Sequence, residues 1–184
     1  EGAEENILLS IPQAPHDFRE HLLESPNPKI RASAVRSFGE EVSGNLAVLH
    51  LIVAKLKDPE LHVRMAAVDV LGAAAPQKDA SERQVAALIP SLSDSHIDIR
   101  RAGMARLSFE AARRNAKVVK AVALSLYDED HGFRKLASDW LTIAIREALL
   151  HADESGFNLV LEMLENGTGV GQLAAAQVLG EIVG

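Results

Sequence analysis

The sequence predicts an all-α protein built as a solenoid of about five consecutive helix pairs. Three observations predict it. A phrase of polar turn, apolar face and small residue recurs along the chain. Its apolar positions keep helical spacing. A second apolar segment separates each copy from the next.

The phrase reads SPNPKIRASAVRSFG from Ser25, DPELHVRMAAVDVLG from Asp58 and DSHIDIRRAGMARLS from Asp94. It returns as DEDHGFRKLASDWLT from Asp128 and NGTGVGQLAAAQVLG from Asn166. A polar turn residue precedes an Arg or Gln in every copy: Ser25/Arg31, Asp58/Arg64, Asp94/Arg100, Asp128/Arg134 and Asn166/Gln172. These Arg/Gln markers are 33, 36, 34 and 38 residues apart. Counting from the marker, position −1 is apolar in the first four copies (Ile30, Val63, Ile99, Phe133). Position +3 is small (Ala34, Ala67, Gly103, Ala137, Ala175), and +7 is large and apolar (Phe38, Leu71, Leu107, Leu141, Leu179). That spacing is one face of a helix.

Asp58-Pro59 and Ser25-Pro26 read as a capping side chain followed by a proline in the first turn. Gly39, Gly72 and Gly180 follow the +7 residue, where a missing side chain admits a neighbouring helix. The intervening segments, Phe18–Leu23, Leu46–Leu56, Gln84–Leu92, Val118–Tyr127 and Phe157–Leu164, supply the first helix of each pair. Turn formers such as Gly44, Pro76, Asn115 and Gly156 bound them. The expected organisation is a leading segment over 1–13 and one solenoid over 14–184. Its units run about 14–43, 44–77, 78–114, 115–150 and 151–184.

The turn Asp, the Val/Ile-Arg pair, the Ala pair and the Leu-Gly pair resemble the HEAT repeat family, in its short form also known as the phycobilisome-lyase-like repeat. The resemblance runs from about residue 14 to 184, and DPELHVRMAAVDVLG is the best match to the pattern. It implies a right-handed, armadillo-like superhelix. It also implies that turn aspartates and second-helix arginines form a ladder between repeats. Arg31, Arg64, Arg100 and Arg134 are its arginines, and Asp58, Asp94 and Asp128 its carboxylates. A structural role for them outweighs a catalytic one, because a guanidinium forks onto carboxylate and carbonyl oxygens. The last copy departs from the pattern. Asn166 and Gln172 are neutral, and Gly171 takes the −1 position. Losing both charges together avoids a stranded ion. A terminal capping unit and a repeat with its continuation cut away both fit.

Composition bounds the rest. The chain is 47% hydrophobic and 24% charged, too apolar for disorder. It has no cysteine, so disulfides and thiolate-ligated zinc are excluded and a cytoplasmic or other reducing compartment fits. The clean apolar run near Leu46–Ala54 is too short to span a bilayer and is broken by His50. The chain opens on Glu1 rather than Met, which reads as a processed or cut start and leaves room for an upstream targeting segment. A net charge of −7 disfavours nucleic acid as the partner.

No constellation for catalysis stands out. The seven histidines form no i, i+4 pair on an expected helix, so no metal site is expected. Gly167–Gly171 lacks the preceding strand and following Lys of a phosphate loop. Asp128-Glu129-Asp130 reads as helix capping rather than a calcium loop. The family resemblance also reaches bilin lyases and a DNA glycosylase family. For the latter, Asp139 beside Trp140 is the single echo. The expectation is therefore a non-catalytic protein-binding scaffold without a cofactor. A lyase-type enzyme is the alternative and a nucleic-acid-binding solenoid the third reading.

A partner would meet the strip of the second helices opposite the core face, at +1, +5 and +9. Met65, Phe109, Ile143 and Leu173 are apolar there, with Arg101 and Lys135 among them and Trp140 at +6 on the flank. The candidate contact set is Met65, Arg101, Phe109, Lys135, Trp140 and Ile143. Packing against another part of the chain is the competing explanation. Between Arg100 and Lys120, seven basic residues stand against Glu110 alone, so the rest of the chain carries −13. That run would suit a protein with an acidic surface.

Overall fold

The computed structural model describes residues 9–74, 82–107, 115–151 and 153–183. It is an α-solenoid, and no strand occurs among the described residues. The first-helix (A) elements are α1 (His16–Leu22), α3 (Leu46–Lys55), α5 (Glu82–Ala86), α7 (Ala116–Leu124) and α9 (Ser155–Asn166). Short 3-10 turns, Ile89–Ser93 and Ser125–Tyr127, extend the A segments of the third and fourth pairs. The second-helix (B) elements are α2 (Pro28–Ser37), α4 (Leu61–Ala74), α6 (Ile97–Arg106), α8 (His131–Leu149) and α10 (Gly169–Val183). Each B helix packs on the next, so α2, α4, α6, α8 and α10 form a continuous stack.

The repeat spacing explains the stack. Val63, Ile99 and Phe133 at −1 are fully buried, as are Ala34, Ala67, Ala137 and Ala175 at +3. Phe38, Leu71, Leu107, Leu141 and Leu179 at +7 are buried too. Small residues in mid-face let the helices approach, while large ones fill the ends. Two close approaches fall at glycines. A Cβ on Gly72 would stand 2.6 Å from the Arg106 stem, and one on Gly103 1.9 Å from Ser91 Oγ. Gly39 and Gly180 differ from the sequence expectation. The first faces only the Arg36 carbonyl at 3.4 Å, and the second faces open space.

Side chains also set the helix starts. Asn45 and Asn115 cap α3 and α7 by accepting from the backbone N–H groups two and three residues on. Asn27 caps α2, with Pro28 at its first position. The repeat's turn residue is therefore not the cap itself. Asp58, Asp94 and Asp128 stand just outside the helix, and each accepts from the N–H two residues on. This is an Asx turn. It holds the carboxylate off the helix end, where a neighbouring repeat can reach it.

Upstream of α1, Ile11 lies in a 3-10 turn (Ile11–Gln13) and is buried in the core. Among the described residues, no helix is long and apolar enough to cross a membrane.

Candidate protein-docking face and its arginine ladder

Four arginines repeat one geometry. Nη1 of Arg31 donates to the carbonyls of Ser25 and Pro26, and Nη1 of Arg64 to those of Asp58 and Pro59. Arg100 does the same to Asp94 and Ser95, and Arg134 to Asp128 and Glu129. Each arginine thus closes the turn of its own helix pair. The other edge of the guanidinium, Nε and Nη2, reaches the next pair. Arg31 binds Asp58 at 2.8 and 2.9 Å, and Arg64 binds Asp94 at 2.8 and 3.1 Å. Arg100 Nη2 donates to Asp128 at 3.0 Å. Its Nε lies 2.9 Å from the other carboxylate oxygen, off the line of a good hydrogen bond.

These pairs are shielded from solvent. The Arg64 and Asp94 side chains are 12% and 8% exposed. Burial alone would raise the Asp58 carboxyl pKa. The hydrogen bonds from Arg31 and the Glu60 N–H, with the Arg31 charge, outweigh burial and hold it below the ordinary aspartate value. The Arg31 pKa is raised in turn, chiefly by its hydrogen bond to Asp58.

The ladder joins each arginine to the following turn, and this changes the meaning of the neutral last copy. Asn166 removes the carboxylate that would have faced Arg134, so the charge left over is Arg134 rather than one from the last pair. Among the described residues, Arg134 Nε and Nη2 meet no carboxylate. Gln172 instead donates to the Leu164 carbonyl at 2.8 Å. The turn between α9 and α10 is also short, Gly167-Thr168, and Tyr127 lies over it. A Cβ on Gly171 would stand 2.0 Å from the Tyr127 ring.

The strip on the B helices carries both apolar and charged side chains at the surface. Ile143 is 53% exposed, and Leu173 beyond it 73%. Arg101 and Lys135 are exposed, but each is answered by a carboxylate of the chain itself. Arg101 lies 3.0 Å from Asp130, and Lys135 3.0 Å from Asp139. Arg106 likewise lies 2.8 Å from Asp69. The Asp130 pKa is lowered first by the Phe133 N–H and then by Arg101, while the Asp139 hydrogen bond raises that of Lys135. Two candidates sit elsewhere than expected. Trp140 is buried, and Met65 is half-buried against the core. Position +6 lies between the two helix faces, and the bulky indole turns inward there. Phe109, like Glu110, Arg113, Arg114 and Pro76, lies outside the described residues.

Sequence reasoning passed over two features. Arg19 in α1 is buried and donates to the Ala14 and Ser37 carbonyls and to Glu41, tying the first A helix to α2 and the turn after it. No repeat of spacing announces it. The second is a cleft of 310 Å³ between α8 and α10, lined by His131, Arg134, Lys135, Ser138, Val170 and Leu173 among others. Its one signal in the sequence is the neutral Asn166. No group of three or more His, Asp or Glu residues is placed to hold a metal ion among the described residues.

Comparison with known proteins agrees with this architecture. A family model for HEAT repeats matches residues 16–108. A chain in the structure of the Pds5–Scc1 complex, described for its implications for cohesin function, superposes with a TM-score of 0.63 at 14% identity. The match covers 96% of this chain and 31% of that one, so this protein spans under a third of its length. An engineered protein gives a TM-score of 0.49 at 18% identity, covering 94% of this chain and 79% of that one. No curated protein matches by sequence. With the stacked helix pairs, the Asx-turn aspartates and the arginines that bridge them all in place, the chain belongs to the HEAT repeat family.

Proposed function

We propose that the chain is a non-catalytic scaffold that presents the B-helix strip to another protein. The observation that carries this reading is apolar exposure on a rigid face. Ile143 and Leu173 stand in solvent at positions where a merely solvated strip would be polar. A stacked solenoid holds such residues in place, so little ordering entropy is lost on binding. Because Arg101 and Lys135 are paired within the chain, apolar contact rather than net positive charge supports the strip as a docking face. Absence of cysteine suits a reducing compartment.

The test uses the full chain as bait in native extract, with captured proteins identified by mass spectrometry and the affinity then measured. Ile143→Ala should weaken binding of the captured partner by more than ~1 kcal/mol, with helix content by circular dichroism unchanged. Normal binding by that variant, with loss on Lys117→Glu or Lys120→Glu in α7, would move the interface to the A helices. Tetrapyrrole colour on co-expression would point to lyase chemistry instead.

A further inference from the structure

We propose that the cleft between α8 and α10 binds an acidic side chain of a partner protein, next to an apolar residue of that partner, with Arg134 as the anchoring fork. This rests on the protein-binding reading above and names the chemistry of the partner.

The ladder shows what Arg134 is built to hold. It makes the own-turn contacts of Arg31, Arg64 and Arg100, which fix its guanidinium in the same attitude. In those three, the outward edge takes an aspartate carboxylate at hydrogen-bond distance. Arg134 lines an open cleft instead, and the matching position of the following turn carries Asn166 rather than an aspartate. A pre-oriented guanidinium edge is a bidentate carboxylate site. The contrast with Arg100 is direct. It lines another cleft, of 520 Å³, but Asp128 of the following turn already occupies its fork.

A second, independent observation lies at the same cleft. Ser138 is 2% exposed, and its Oγ has no hydrogen-bond partner, yet it lines the cleft beside Arg134. Buried hydroxyls are almost always satisfied. Rotated toward the cleft, this hydroxyl would donate to an entering carboxylate. Lys135 is not a rival anchor, since Asp139 holds it. The remaining walls favour a peptide over a small anion. Val170 and Leu173 are apolar and 45% and 73% exposed, and an apolar neighbour of the acidic residue would cover them.

The probes are blocked peptides, acetyl-Ala-Leu-X-Leu-Ala-amide with X Asp or Asn, titrated into the full chain while the arginine Nε–Hε and Leu/Val methyl NMR signals are followed. Sodium acetate and inorganic phosphate serve as small-anion controls. The Asp peptide should shift the Arg134 Nε–Hε and Leu173 methyl signals and bind at least about tenfold more tightly than the Asn peptide. Acetate and phosphate should be weaker than the Asp peptide. Arg134→Lys, which keeps the charge and loses the fork, should weaken the Asp peptide at least about fivefold. If that variant misfolds, Leu173→Ser on the exposed wall provides the comparison and should weaken both peptides. Equal binding of the Asp and Asn peptides overturns the proposal, as does no binding at all. Acetate or phosphate matching the Asp peptide reduces the site to a general anion site and also overturns it. None of these failures touches the scaffold reading, which stands or falls on the captured protein and Ile143→Ala.

Discussion

Each ladder arginine answers two turns at once, and the two halves of that task have different energetic weight. The bonds from Nη1 to two carbonyls close the arginine's own turn, and each contributes about 1 kcal/mol net. The edge that meets the next aspartate sits in a shielded place, where removing one partner strands the other charge. Arg64→Ala should therefore cost roughly 3–5 kcal/mol, while Arg36→Ala on the exposed surface should cost about 0–1 kcal/mol. Arg134→Ala should fall between them at about 1–2 kcal/mol, because it loses carbonyl bonds but strands no carboxylate. Urea denaturation of the three variants ranks them, and equal midpoints for Arg64→Ala and Arg36→Ala would remove the ladder from the account of stability. The recurring turn-to-arginine spacing makes the ladder residues visible in sequence. The partners of Arg101 and Arg106 have no such signal. Asp130 and Asp69 lie 29 and 37 residues away, and those separations do not recur. Surface charge read from sequence therefore overstates the positive patch.

At the scale of the helix, the period carries most of the information. Positions −1, +3 and +7 name the buried face because a helix repeats that way, whatever lies beside it. What the period does not carry is the distance to the neighbour. Gly39, Gly72 and Gly180 share one register, yet only Gly72 has another helix's side chain within reach. The period likewise does not announce the burial of Trp140 or the local Asx geometry of the turn aspartates. The glycines convert this into a test with opposite signs. Gly103 in α6 faces Ser91, which is 1% exposed and hydrogen-bonded to the Leu88 carbonyl at 2.6 Å. Gly103→Ala must displace that serine. Overpacking of this kind costs ~1–3 kcal/mol, set against ~1 kcal/mol of helix propensity gained, so a net loss of up to about 2 kcal/mol is expected. Gly180 in α10 has nothing near it, and Gly180→Ala should stabilise by about 0.5–1 kcal/mol. Thermal melts of the two variants moving in the same direction would contradict the close contact at Gly103 and the open space at Gly180.

A solenoid's stability is close to a sum over its units and the interfaces between neighbours, so unequal interfaces should melt unequally. Three junctions in the B-helix stack carry a shielded rung: Arg31–Asp58 between α2 and α4, Arg64–Asp94 between α4 and α6, and Arg100–Asp128 between α6 and α8. Among the described residues, the junction of α8 with α10 has none. Its polar ties lie at the other end of α8, where Thr142 bonds the Glu181 carboxylate and Arg146 the Glu181 carbonyl. It also holds the cleft at Arg134 and leaves Val170, Leu173 and Val183 exposed. The last pair, α9 and α10, is thus joined to α8 without a shielded rung of this kind. Native-state hydrogen exchange in low urea should show α9 and α10 opening as a unit at least about tenfold more often than α4, a difference of about 1.4 kcal/mol. α4 should open only with the global transition, since a rung holds it on both sides. The acidic peptide offered to the Arg134 cleft should raise protection in α10 and leave that in α4 unchanged, because a ligand stabilises the unit whose folded form it binds. Equal protection of α4 and α10 in the free chain would mean that packing alone sets the junction energies and that the rungs add little to them.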